Sequence, residues 1–263
     1  MQNDSILKLE GLTMTFGGLT AVKELTIDVP KGSIVGLIGP NGAGKTTVFN
    51  VITGFYEPTA GRVIFKGMDI SGKNPHEVCS LGIARTFQNI RLFGNETVLQ
   101  NVMIACNVRM PVRWWEPPLS LPLTRNKERT IRDKAMDLLK KVELEHLADE
   151  IATSLPYGQQ RRLEIARALA TNPDLLLLDE PAAGMNPKET HALMDFIRAV
   201  RDLFDLTIML IEHDMRVVMG ICEHIWVLDY GLLIAEGPPS FIQSNKRVIE
   251  AYLGEEYARY VDN

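Results

Sequence analysis

Little in this sequence would hold together a secreted or metal-built protein. Its three cysteines, Cys79, Cys106 and Cys222, are odd in number and far apart, so they give no sign of a disulfide framework or of zinc-ligand spacing, and a reducing compartment is expected. No apolar run approaches the roughly 20 residues that crossing a bilayer requires. The start "MQNDSILKLEG" has no basic region followed by an apolar stretch, so we expect a chain that is neither exported nor membrane-spanning. Positive charge is not in excess either: 28 Lys and Arg against 33 Asp and Glu leave a net charge of −5, which argues against a broad nucleic-acid surface. There is no fixed-period repeat and no low-complexity tract.

What is present suits a globular core, with 263 residues of which 46% are apolar. From 6 to 70 the pattern is strand-like, with "ILKLEGLTMTF", "LTIDVP", "SIVGLIG" and "GRVIFKGMDI" punctuated by Gly and Pro, and "GKTTVFNVITG" reads as the one helix among them. From 95 to 170 the period changes to that of helices, including "NETVLQNVMIACNV" and "TIRDKAMDLLKKVEL". Strands and helices then alternate through "DLLLLDEP", a helix opened by Asn186 and Pro187, "LTIMLIEHD" and "HIWVLDYGLLIAEG". Alternation of this kind predicts a parallel sheet covered by helices. Between the first two helices of the middle region, "MPVRWWEPPLSLPL" carries four prolines (111, 117, 118 and 122) and reads as a loop, in which Trp114 and Trp115 pack locally or offer a docking surface.

Chemistry concentrates at the ends of predicted strands. "GPNGAGKT" fits the phosphate-loop template from Gly39 to Thr46, between an apolar strand and a helix. Its glycines let the backbone wrap a phosphate, its free amides and helix dipole supply positive potential, Lys45 reaches the terminal phosphates, and Thr46 can ligate Mg²⁺. In "LLLLDEP" four apolar residues carry Asp179 and Glu180 to the C-terminal edge of the sheet, where the first can hold Mg²⁺ through water and the second can polarise an attacking water. His213 in "LIEHD" falls on the same edge, within reach of the terminal phosphate or of Glu180. A second anion-binding helix start is predicted at "SLPYGQQRRLEIARALA".

The order of these motifs resembles the ATP-binding-cassette ATPases over nearly the whole chain to about Gly237: phosphate loop, glutamine loop at Gln88, signature at Leu155 to Gln159, acidic motif ending at Glu180, and switch histidine at His213. The resemblance implies a RecA-like phosphate-loop α/β core with an antiparallel β subdomain and an inserted α-helical subdomain. We place the core at 1–90 and 171–237, the helical subdomain at 91–170 and a helical tail at 238–263. It implies ATP and Mg²⁺ as ligands. ATP would be held by Gly39, Pro40, Asn41, Gly42, Ala43, Gly44, Lys45, Thr46 and Thr47, with Phe16 stacked on adenine, and the metal by Thr46, Gln88 and Asp179. Catalysis would fall to Glu180, His213, Lys45 and Gln88. Two cassettes would pair head to tail, so that Gly158 and Gln159 of one cap the ATP of the other.

Two departures stand out. Pro156 and Tyr157 replace the family's Ser-Gly, removing a hydroxyl that would touch the opposing γ-phosphate, and Asn186 stands where many relatives carry aspartate. The stretches "YGQQRRLEIARAL", "LDEPAAGMNPKET", "LIEHDMRVVMG" and "VIEAYLGEE" are similar to the larger, LivG-type ATPase subunit of branched-chain amino-acid importers. That subgroup implies membrane-spanning permease subunits, a second ATPase subunit (a sister chain or a copy of this one), an extracytoplasmic amino-acid-binding protein acting indirectly, and residence on the cytoplasmic face of the plasma membrane. A helix of the permease would dock beside Gln88, at Asn89 to Phe93. Importers of urea or short amides, a nucleotide-gated clamp on nucleic acid or the ribosome, and a regulatory subunit with little turnover remain alternative readings. Binding of nucleic acid is not expected.

Overall fold

The computed structural model describes residues 5–106 and 122–252. Trp114, Trp115 and the first three prolines of their segment lie outside that range, as do residues 253–263. A six-stranded sheet in the order β10-β9-β3-β8-β7-β6 forms the centre. Its strands are β3 (Ile34–Ile38), β6 (Ile83–Arg85), β7 (Leu175–Asp179), β8 (Thr207–Ile211), β9 (His224–Asp229) and β10 (Leu232–Gly237). All neighbours run parallel except β10, which pairs antiparallel with β9. A second, antiparallel sheet in the order β2-β1-β4-β5 is built from β1 (Ser5–Phe16), β2 (Leu19–Pro30), β4 (Ala60–Phe65) and β5 (Met68–Asp69).

The alternation of a strand sorts the core onto two faces. On β7, Leu176 and Leu178 point into a cluster with the helices α3 (Val98–Cys106), α4 (Pro122–Lys141), α5 (Tyr157–Ala170), α6 (Pro187–Phe204) and α7 (Met215–Ile221). Leu175 and Leu177 point the other way, into a cluster with α1 (Lys45–Ile52) and the antiparallel sheet. Each leucine so enclosed contributes roughly 1.5–3 kcal/mol of burial. Because both faces are covered, the parallel strands read as unbroken apolar runs, and their polar ends collect on one edge.

Local signals account for the element ends. Asn186 caps α6 by accepting from the amides of Lys188 and Glu189, and Glu189 returns a bond to the amide of Asn186. The same device, Asn74 with Glu77, opens α2 (Pro75–Leu81), a helix the sequence reading passed over although Asn-Pro and the closing Gly82 bracket it. Pro122 also differs from expectation. It is the first residue of α4 rather than part of a loop, because proline's missing N–H costs nothing in the first turn. After α8 (Pro239–Ser244), residues 246–252 are helical, and Val248 and Tyr252 pack on the core while Ile249 is exposed. Among the described residues, no helix is long and apolar enough to cross a membrane.

Candidate functional site

The loop after β3 is shaped by close backbone approach. A Cβ on Gly39 (φ +150°) would lie 2.0 Å from the carbonyl oxygen of Leu228, and one on Gly44 (φ +99°) 2.4 Å from that of Ala21, so only glycine fits either place. Between them the Ala43 amide donates to Pro40 O at 3.2 Å and the Gly231 amide to Ala43 O at 3.1 Å. Asn41 and Gly42 are exposed at the tip, and Thr46 and Thr47 follow Lys45 in the first turn of α1. Lys45 is buried and donates through Nζ to the carbonyls of Gly39 at 2.6 Å and Pro40 at 2.8 Å. Its ammonium thus sits across the loop, where the phosphates of a nucleotide would meet it.

Asp179, the last residue of β7, has a partner that sequence reasoning missed. Arg85 of β6 donates to Asp179 Oδ2 at 2.7 Å and to Asn50 Oδ1 at 2.7 Å, with its guanidinium over the rings of Phe49 and Phe87. A cleft of about 330 Å³ is lined by Thr46, Asn50, Arg85, Gln88 and Asp179 among others. It brings together the three residues expected to hold Mg²⁺. Their oxygen donors fit a hard cation that keeps water and phosphate among its ligands. No described cluster of three or more His, Cys, Asp or Glu offers an alternative metal site.

Three of the four catalytic candidates meet one another, whereas Lys45 bonds the phosphate loop. Gln88 Nε2 donates to Glu180 Oε2 at 2.7 Å, and His213 Nδ1 lies 3.5 Å from the same oxygen. Glu180 has φ +45°, in the left-handed region, and its amide donates to Ile211 O at 2.9 Å. Phe16 ends β1 with its ring exposed and in edge-to-face contact with Tyr56, the centroids 5.2 Å apart.

Gly158 and Gln159 do not join this group. They line a different cleft of about 510 Å³ with Pro156, Arg162, Met185 and Glu189. Helix α5 starts at Tyr157 without a side-chain cap, and the amides of Gln159 and Gln160 both donate to Pro156 O. A substituent on Gly158 would meet nothing within 4 Å, so this helix start is open to a ligand from outside.

Charged residues of α5 that carried no assignment in the sequence bind the glutamine loop. Arg161, fully buried, donates to Phe87 O and Gln88 O, each at 2.8 Å, and to Glu164 Oε2 at 2.6 Å. Glu164 Oε1 accepts from the amides of Phe87 and Arg91. Burial pushes the Glu164 carboxyl above its ordinary pKa, with Arg161 pulling the other way. The visible signal was an Arg and a Glu three residues apart on an otherwise apolar helix face. Glu212 was also missed. It is fully buried after β8, with Oε1 accepting from the Ala182 amide at 2.8 Å and Oε2 from the amides of His213 at 3.1 Å and Asp214 at 3.2 Å. Burial raises its pKa too, and these amides offset part of the rise.

Comparison with known proteins places this geometry in a family. The ABC transporter family matches residues 22–183, and the family described as branched-chain amino acid ATP-binding cassette transporter matches residues 233–258. The chain is 46% identical over 250 residues to the high-affinity branched-chain amino acid transport ATP-binding protein BraF of Pseudomonas aeruginosa, covering 95% of this chain and 98% of that one. It is 44% identical, with the same coverage, to LivG of Escherichia coli K12. Among solved structures it is similar to an ATP-binding cassette of an ABC transporter in its ADP conformation, with a TM-score of 0.83, 35% identity, and 95% and 99% of the two chains covered. A nucleotide-free cassette matches with a TM-score of 0.82 and 34% identity over 94% and 98%. With its phosphate loop, its acidic strand end and its glutamine and histidine loops gathered on one sheet edge, the chain belongs to the ATP-binding-cassette transporter family, as an ATP-hydrolysing subunit.

Proposed function

We propose that this chain hydrolyses ATP to drive import of branched-chain amino acids, as the peripheral subunit of a permease on the cytoplasmic face of the membrane. The observation that carries the hydrolytic reading is the meeting of Gln88, Glu180 and His213 on one carboxylate oxygen, beside the cleft formed by Thr46 and Asp179. The cargo rests on the two relatives and on the tail match at 233–258. We also propose the division into a core (1–90 and 171–237), a helical subdomain (91–170) and a tail (238–263).

In this reading the backbone amides of Gly39 to Thr47 cradle the phosphates, and Phe16 stacks on adenine. Lys45 turns from the carbonyls of Gly39 and Pro40 to the terminal phosphates. Thr46, Asp179 and Gln88 would hold Mg²⁺, which would supply charge neutralisation to the terminal phosphates. Glu180 orients a water for in-line attack and draws on its proton, while Gln88 and His213 keep that carboxylate in place and sense the γ-phosphate. The open helix start at Gly158 and Gln159 caps ATP held by a second cassette, a sister chain or a copy of this one. The groove at Asn89 to Phe93 receives a permease helix, and an extracytoplasmic binding protein delivers the cargo.

The test is uptake of labelled leucine, isoleucine and valine in cells lacking this chain, restored with native protein or with Glu180→Gln. We expect uptake to fall and only the native form to restore it. Unchanged uptake would overturn the cargo, and restoration by Glu180→Gln would overturn the role given to Glu180.

A further inference from the structure

Glu180 holds a backbone conformation that a non-glycine residue adopts only where its surroundings impose it. Part of what imposes it is visible. Its amide is bound to Ile211 O at the end of β8, and two residues on, the Ala182 amide is bound at 2.8 Å to Glu212 Oε1. The other oxygen of Glu212 accepts from the amides of His213 and Asp214. One fully buried carboxylate therefore spans two loops, the one bearing Glu180 and the one bearing His213. Three backbone donors converge on its two oxygens, so every contact it makes with these loops is one in which it accepts. A fourth contact joins the same turn, since the Tyr157 hydroxyl donates to Ala183 O at 2.9 Å.

We infer that Glu212 is a positioning residue for ATP hydrolysis, locking the turn that carries Glu180 to the turn that carries His213. The inference rests on the roles given to those two residues above. The hydrogen bonds described for Glu212 go to Ala182, His213 and Asp214 rather than to the phosphate loop, where ATP would be bound, so its loss acts on turnover and spares binding. Tyr157, which stands where the family has glycine, adds a weaker hold from the signature helix.

The test compares full-length native protein, Glu212→Gln, Tyr157→Phe and Glu180→Gln, measuring ATP affinity with a fluorescent ATP analogue and turnover by phosphate release. Glutamine matches the shape of Glu212 but turns an NH2 group toward one of the three donors. We expect Glu212→Gln to bind ATP within about threefold of native while kcat falls about tenfold or more, as expected when a catalytic group is displaced. Tyr157→Phe should show a smaller loss of the same kind. A core variant on α6, Ile197→Val, serves as a stability control and keeps the native kcat. Unchanged kcat in Glu212→Gln, or a loss shared equally by affinity and kcat, overturns the inference. If Glu212→Gln fails to fold, Glu212→Asp carries the same test, because it keeps the charge but is one methylene too short to span both loops. If native protein does not turn over ATP, or Glu180→Gln turns over as fast, the reading of the site falls and this inference with it. Loss in Glu180→Gln with none in either Glu212 variant removes the inference alone.

Discussion

The two helix starts proposed to bind anions, at the phosphate loop and at α5, are built in opposite ways. At the phosphate loop the shape comes from the backbone: Gly39 and Gly44 sit where a Cβ would strike a carbonyl, and Lys45 bonds the loop that precedes it. At α5 the backbone is undemanding, with open space around Gly158, and position is imposed by side chains: Arg161 and Glu164 hold the glutamine loop, and Tyr157 holds Ala183. The first cradle is rigid because its own residues permit one path. The second is tied through those side chains to the loops that carry Gln88 and Glu180. Such a fastening suits the proposed role of this helix start in capping ATP held by a second cassette.

The comparison breaks most sharply at Gly39. Adding one methyl group in Gly39→Ala puts it 2.0 Å from Leu228 O, and we expect ATP affinity to fall on the order of a hundredfold as the loop is displaced, measured by nucleotide titration. Gly158→Ala, with no neighbour to strike, should leave the fold's stability unchanged in the same preparation.

A second test targets the side-chain fastening. Arg161→Met leaves Glu164 buried without its cation, and should cost about 3–5 kcal/mol in urea unfolding. Replacing both, in Arg161→Met with Glu164→Leu, should recover much of that loss, while the glutamine loop, freed of both its clasps, becomes more accessible to hydrogen exchange.

The smallest effect is in pH. Burial raises the Glu164 carboxyl above its ordinary 4.5, so the folded state holds this proton more tightly than the unfolded state. The group's contribution to stability is then present below pH 4.5 and is lost as pH rises through the raised value. Glu164→Gln lacks this loss, and its stability relative to native should improve as pH rises above 4.5, read from thermal midpoints across that range.

Much of the site was legible because its signals are local. A phosphate loop needs glycines at fixed spacing, an acidic strand end needs an apolar run before it, and a helix start such as Asn186-Pro187 declares itself within four residues. The missed residues share a different property. Arg85 meets Asp179 across 94 positions of chain, Arg161 meets Gln88 across 73, and Glu212 meets Ala182 across 30. An arginine on a short strand or a glutamate beside a histidine carries no mark of a distant partner. Helix α2 was missed for a lesser reason, since its cap signals were present but bracket only two turns.

By itself, then, the sequence determined which segments become strands and helices, where the phosphate loop bends, and which side chains stand at the C-terminal edge of the parallel strands, because these follow from short-range sterics and periodic burial. Tertiary structure alone decided which of those side chains face one another. Strand order set β6, β7 and β8 side by side, and only that order brings Arg85 to Asp179, Gln88 to Glu180 and Glu212 to the turn after β7. Pairing between distant segments depends on how the sheet closes its core, which no short stretch of chain encodes.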